Sequence, residues 1–99
     1  AAEDALLKAA ESADAGREVY FSLGEVKYSK EETDEASRWY QKAVAADPSW
    51  GKPLYKLGLC AMKQGDREGA IAMMNRVVSV DPLSPEAGLA KSSLESLKK

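Results

Sequence analysis

The chain has 99 residues, 44% of them hydrophobic and 30% charged, with a formal net charge of −2 at neutral pH. That mixture is too apolar for a disordered chain, and its interspersed charges lack the basic footprint that neutralises nucleic-acid phosphates. Histidine is absent, which removes the commonest general base, the commonest metal ligand and every Ser-His or Cys-His nucleophile pair.

The first predicted element is a helix over 2–13, with Leu6, Leu7, Ala9, Ala10 and Ala13 as its apolar residues. It carries acids early and no basic segment before an apolar core, so it does not read as a secretory signal. The chain lacks an initiator methionine and reads as a piece of something longer. A second helix is predicted over 17–30, where Val19, Leu23, Val26 and Ser29/Lys30 recur at spacings of three and four. Gly24 inside it costs about 1 kcal/mol relative to alanine. A helix tolerates that cost when the missing side chain lets a neighbour approach.

After the turn Lys30-Glu31-Glu32 comes a helix predicted over 33–46, with Thr33 as its capping hydroxyl and Ala36, Trp39, Tyr40, Ala43 and Val44 on its packed side. The acidic run Glu31 to Glu35 lacks the glycine and the alternating ligand spacing of a calcium loop, so it reads as a solvated helix start rather than a metal site. Asp47-Pro48 stops this helix, because proline cannot donate its backbone bond and disfavours helical geometry in its predecessor. Trp50, just beyond the stop, is expected to staple the turn that follows.

The next predicted helix covers 51–64, with Pro53 in its first turn and Gly58 in its interior. Cys60, the sole cysteine, lies among Leu57, Leu59 and Ala61 and reads as a small buried residue rather than a nucleophile. Gln64-Gly65-Asp66 then turns into a helix over 67–80, where Met73 and Met74 read as packing residues, as Trp39 does. Asp81-Pro82 stops it. Ser84, followed by Pro85 and Glu86, opens the last helix, over 84–98. Ala87, Ala90, Leu94 and Leu97 form its inward stripe, and its other face is polar, as suits a terminal cap. No apolar run approaches the roughly 20 residues needed to cross a bilayer, so no membrane insertion is expected.

Sliding the chain against itself by 34 residues exposes an internal repeat. Leu23-Gly24 falls on Leu57-Gly58, Ala36 on Ala70, Val44 on Val78, and Asp47-Pro48 on Asp81-Pro82. A fixed period of this size signals stacked helical units.

The segments YFSLGEVKYSKEETDEASRWYQKAVAADP and LYKLGLCAMKQGDREGAIAMMNRVVSVDP resemble tetratricopeptide repeats, a 34-residue helix-turn-helix unit. The matching residues are Tyr20, Leu23, Gly24, Ala36, Tyr40, Ala43 and Pro48 in one copy, and Leu54, Leu57, Gly58, Ala70 and Pro82 in the other. The large residue usual three places after the glycine is replaced by Lys27 and by Ala61, and the first copy has Glu31 in a turn where glycine is common. The resemblance implies an all-α fold: a right-handed superhelical stack of antiparallel helix pairs, a tetratricopeptide-like α-solenoid. It divides one domain into a partial unit at 1–16, repeats at 17–50 and 51–84, and a capping helix at 85–99.

The same resemblance implies a function. In this family the first helix of each unit lines a concave groove in which partner peptides lie. The positions that map onto that groove include Phe21, Glu25 and Tyr28, then Lys52, Tyr55, Leu59, Met62 and Lys63, then Leu89. Apolar residues rimmed by charge are what such a surface needs. The clamp that some relatives use for acidic carboxy-terminal tails is not expected, because the matching positions hold Phe21, Glu25, Lys56, Glu86 and Ala90. The chain is thus expected to be a protein-interaction module with a protein or peptide partner, not an enzyme, without metal or cofactor. The alternative is a self-associating scaffold segment that forms a homo-oligomer through its amino-terminal flank.

Overall fold

The spacing of apolar residues resolves into six helices in the computed structural model, which describes residues 2–12 and 16–98. They are α1 (Ala2–Ala10), α2 (Arg17–Ser29), α3 (Thr33–Ala46), α4 (Gly51–Lys63), α5 (Arg67–Val80) and α6 (Pro85–Leu97), and no strand occurs among the described residues. The helix pairs α2–α3 and α4–α5 are the two units of the repeat, and the stack is a right-handed all-α solenoid. Both second helices span the predicted residues. The first helix is shorter than expected: the amides of Glu11 and Ser12 turn back onto the carbonyls of Lys8 and Ala9 at 3.2 and 3.1 Å, closing it at Ala10. Ala13, placed on its stripe from the sequence, lies outside the described residues.

Helix ends follow local chemistry, with one correction. Ser84 caps α6 by accepting from the Ala87 amide at 3.1 Å, and Asp66 caps α5 by accepting from the Gly69 amide at 2.9 Å. Thr33, expected to cap α3, is instead its first helical residue. Glu32 holds the cap position and makes no side-chain cap bond. The Asp-Pro stops do more than end helices. Asp81 accepts from the Gly51 amide at 2.9 Å, and Asp47 accepts from the Arg17 guanidinium. Each aspartate so ties the close of a second helix to the opening of the first helix of the same unit, 30 residues earlier in sequence.

Two apolar clusters form the core. One joins Leu54, Met74 and Val77 to Ala87, Ala90 and Leu94 of the last helix; the other joins Ala36 and Tyr40 to Leu57 and Cys60. The repeat glycines are sites of close approach, as the sequence suggests. The groups lying over them, however, are not Ala36 and Ala70, which are fully buried nearby. A Cβ on Gly24 would sit 2.5 Å from the Tyr40 ring, and one on Gly58 would sit 2.7 Å from the Met74 methyl. Tyr40 and Met74 are themselves one repeat apart.

The position usually filled by a large apolar residue is a charged hub in the first unit. Lys27, with its side chain 15% exposed, stands 3.1 Å from Glu35, 3.4 Å from Glu32 and 3.5 Å from Glu3. Glu3 also binds Lys30 at 2.8 Å, so α1 is held to α2 by charge as well as by half-buried Leu6 and Leu7. The bond from Glu35, reinforced by Glu3 and Glu32, pushes the Lys27 ammonium up to about 12. The bond from Lys30, with help from Lys27, holds Glu3 below the usual carboxylate range.

The last helix differs in composition from α4, the first helix one repeat earlier. Leu54 and Gly58, where α4 receives its own second helix, correspond one repeat later to Gly88 and Ser92, both exposed between exposed Lys91 and Glu95. That face offers no apolar surface to a further helix. Its opposite face buries Ala87, Ala90 and Leu94.

The inter-helix turns carry a left-handed residue in both units, Glu31 with φ 62° and Gly65 with φ 77°. Left-handed geometry costs a side-chain-bearing residue roughly 1–2 kcal/mol, partly offset in glycine by its freer unfolded chain. Glu31→Gly is therefore expected to stabilise by about 0.5–1 kcal/mol, read as a raised Tm; a lowered Tm would contradict the turn geometry.

The two helical glycines differ in what must yield. Helix propensity favours alanine by about 1 kcal/mol at both sites. At Gly58 the flexible Met74 terminus can move aside, whereas at Gly24 the ring of Tyr40 is fixed by its own hydrogen bond. Gly58→Ala is expected within about 1 kcal/mol of the parent, and Gly24→Ala to lose about 1–3 kcal/mol, by chemical denaturation. The reverse order would overturn the packing account.

A third expectation concerns acid. Glu3 titrates below its unfolded value, so its contribution to docking α1 is complete above the ordinary carboxylate range and is lost as pH falls through the lowered value. Lys27 stays charged throughout that interval. Methyl NMR signals of Leu6 and Leu7 should shift toward free-chain positions as pH falls below the ordinary carboxylate range, and Glu3→Gln should show the displaced signals already at neutral pH.

Candidate functional site

The inner face is built from the first helices α2 and α4 with the cap α6. Side chains stitch α2 to α4 in register along their length. At one end Phe21 packs on Trp50 with ring centroids 5.1 Å apart, and the Arg17 guanidinium lies 4.1 Å over the same indole. In the middle Glu25 and Lys56 pair at 3.4 Å. At the other end the Tyr28 ring takes the Lys63 ammonium at 4.3 Å and that of Lys56 at 5.2 Å. Beneath this seam Tyr40 of α3, fully buried, donates its hydroxyl to Glu25. Burial, with the Glu25 carboxylate beside it, pushes the Tyr40 phenol far up, so it remains a donor at any ordinary pH.

The residues singled out from the sequence separate into two groups here. Phe21 and Tyr28 are half-buried and pack against the core cluster around Tyr40 and Leu57. Tyr55 and Leu59 are half-buried against the cluster shared by α4, α5 and α6. These four fill the joints between helices and are only partly exposed. Met62 and Leu89 are instead open, 42% and 51% exposed, and Lys52 and Lys63 are exposed.

Glu25, mapped to the groove from the sequence, has its carboxylate engaged by the Tyr40 hydroxyl and by Lys56. It is a strut of the seam.

Two residues outside the positions mapped to the groove also contribute to this face. Lys56 belongs to the seam, and its stripe with Lys52 and Lys63, at offsets of four and eleven residues, is one helical face that the spacing alone reveals. Trp50 staples its turn as expected, and it does so against Phe21 and Arg17 of α2. No sequence signal joins residues 17, 21 and 50; only stacking of the units does.

Cys60 is buried, and burial pushes its thiol up, which leaves it protonated and inert. No helix among the described residues is long and apolar enough to cross a membrane.

Comparison with known proteins agrees with this architecture. Tetratricopeptide-repeat family models match residues 18–49 and 54–84. The chain belongs to the tetratricopeptide repeat family. Among solved structures it is similar to PcrH from Pseudomonas aeruginosa, at a TM-score of 0.90 and 17% identity over 99% of this chain and 77% of that one. It is also similar to MamA, at a TM-score of 0.70 and 24% identity over 95% of this chain and 60% of that one. Identity at this level speaks to the fold. No curated protein matches the sequence. Repeats of this family hold other proteins, and the chain is a protein-interaction module of that general kind.

Proposed function

We propose that the inner face binds a peptide segment of a partner protein, extended or helical, through at least one large apolar side chain. The observation that carries this reading is the exposure of Met62 and Leu89, two large apolar side chains that the fold leaves in solvent. Tyr55 and Leu59 continue that surface inward, and Phe21 and Tyr28 hold its other half rigid. Rigid walls lower the entropy lost on binding. Lys52 and Lys63 supply rim charge that orients the ligand and adds little affinity.

Covering apolar area yields roughly 25 cal/mol per Å², and ordering a flexible peptide offsets much of it, so affinity is expected in the micromolar range. A second reading is pairing of two copies through the amino-terminal flank. Its support is that α1 packs mainly on α2 and buries none of its described side chains fully. Light scattering across concentrations separates the two.

The test of the leading reading uses a partner captured by the wild-type chain. Met62→Ser with Leu89→Ser removes only exposed groups and should weaken binding at least tenfold with the thermal unfolding curve unchanged. Tyr55→Ala with Leu59→Ser should abolish binding, at some expense of stability because both are half-buried. Arg38→Ala, on the outer helix α3, should leave that partner bound. Retention by both inner-face pairs and loss by the outer variant would move the site to the convex side.

A further inference from the structure

The outer face carries a feature that the inner-face reading leaves unused. A cavity of about 670 Å³ lies between the second helices α3 and α5, with α4 as its floor. That is within the range of roughly 300–1,000 Å³ typical of ligand sites. The floor is apolar: Leu57 and Ala61 at 8% and 9% exposure, flanked by half-buried Val44 and Met73.

The polar groups around it are unequally satisfied. Both acids at one end already have donors: Asp34 accepts from Gln64 at 2.6 Å, and Asp66 accepts from the Gly69 amide at 2.9 Å. The donors along the walls are different. Arg38, Gln41 and Arg76 are exposed and have no hydrogen-bond or ion-pair partner among the described residues. Away from the end held by Asp34 and Asp66, the donors of Arg38, Gln41 and Arg76 suit anionic or carbonyl oxygen above the apolar floor. Guanidinium groups are the side chains best suited to meet carboxylates, since they do so with two parallel bonds.

The spacing narrows the occupant further. Arg76 corresponds, one repeat earlier, to the level of Lys42, four positions beyond Arg38. Four helical residues advance about 6 Å along the axis, so an extended segment lying along the groove meets the two guanidinium groups at successive levels, one on each wall. The whole groove, from Asp34 to Val44, runs about 15 Å, the length of four or five extended residues. We infer that the outer groove is a second, independent peptide site. It takes an extended acidic segment in which two carboxylates, one on Arg38 and one on Arg76, flank an apolar side chain seated over Leu57, Ala61 and Met73. This site goes beyond the inner-face reading and stands or falls separately from it.

The probe is the blocked pentapeptide Gly-Glu-Leu-Glu-Gly, titrated into the full chain and followed by amide and methyl NMR at low ionic strength. The expected result is saturable shifts at Ala61, Met73 and the facing residues of α3 and α5, with affinity falling as salt is added. Gly-Gln-Leu-Gln-Gly should bind at least tenfold more weakly. The paired change Arg38→Gln with Arg76→Gln should weaken the acidic peptide at least tenfold while leaving the circular dichroism spectrum intact, because both side chains are exposed. Arg38→Glu with Arg76→Glu should instead accept Gly-Lys-Leu-Lys-Gly. Met62→Ser with Leu89→Ser should leave this binding untouched, whether or not the inner face has a ligand. Absence of shifts at millimolar peptide would overturn the inference. So would shifts confined to the inner residues, or equal affinity of the two peptides or of the arginine variants.

Discussion

The structure depends on the close approach of helices within each unit, made possible where a first helix gives up a side chain and a second helix fills the gap. Gly24 lies under Tyr40 and Gly58 under Met74, so the same constraint is met twice, one repeat apart, by two unlike side chains. The tyrosine makes the first unit the more rigid. Its ring packs Phe21 and Tyr28, and its hydroxyl reaches Glu25, so one buried side chain sets the position of a whole wall of the inner face. Methionine in the same place fills space without fixing direction, and the corresponding wall around Tyr55 and Leu59 is set by packing alone.

Charge does a second kind of work, between elements rather than within them. The aspartates of the Asp-Pro stops join the two ends of each unit, and the Lys27 hub joins three elements where an apolar side chain would ordinarily sit. Surface pairs contribute little singly; their effect here is to select one docking geometry for α1 and one register for each unit. The inner seam of Glu25, Lys56, Tyr28 and Lys63 belongs to the same class. Its Glu25–Lys56 pair joins α2 to α4, and the exposed Lys63 lies over the Tyr28 ring at its end.

The two faces consequently offer different chemistry. The inner one presents exposed Met62 and Leu89 beside exposed lysines, and the outer one presents exposed arginines above an apolar floor. Few of these features rest on a single helix. They arise because stacking sets side chains from separate elements next to one another, which is how repeat proteins make broad binding surfaces from small units.

The sequence by itself determined the helices, their order and their unit size, because those follow from local rules. Spacings of three and four mark the faces, Asp-Pro marks the stops, and a 34-residue recurrence of Leu-Gly, alanine and Asp-Pro marks the stack. It also marked the polar face of α6 at the positions where α4 is apolar. What only the tertiary structure decided were relations across units. Glu25 was legible as a groove position but not as a strut, because its two partners come from α3 and α4. Phe21 and Tyr28 were legible as apolar, yet whether they face solvent or a joint depends on how far apart α2 and α4 stand. Thr33 was a plausible cap by type, and the turn shifted the cap to Glu32 by placing Glu31 in the left-handed region. Pattern in one dimension encodes which face of a helix is wet; the distance between two wet faces is set by the side chains packed beneath them.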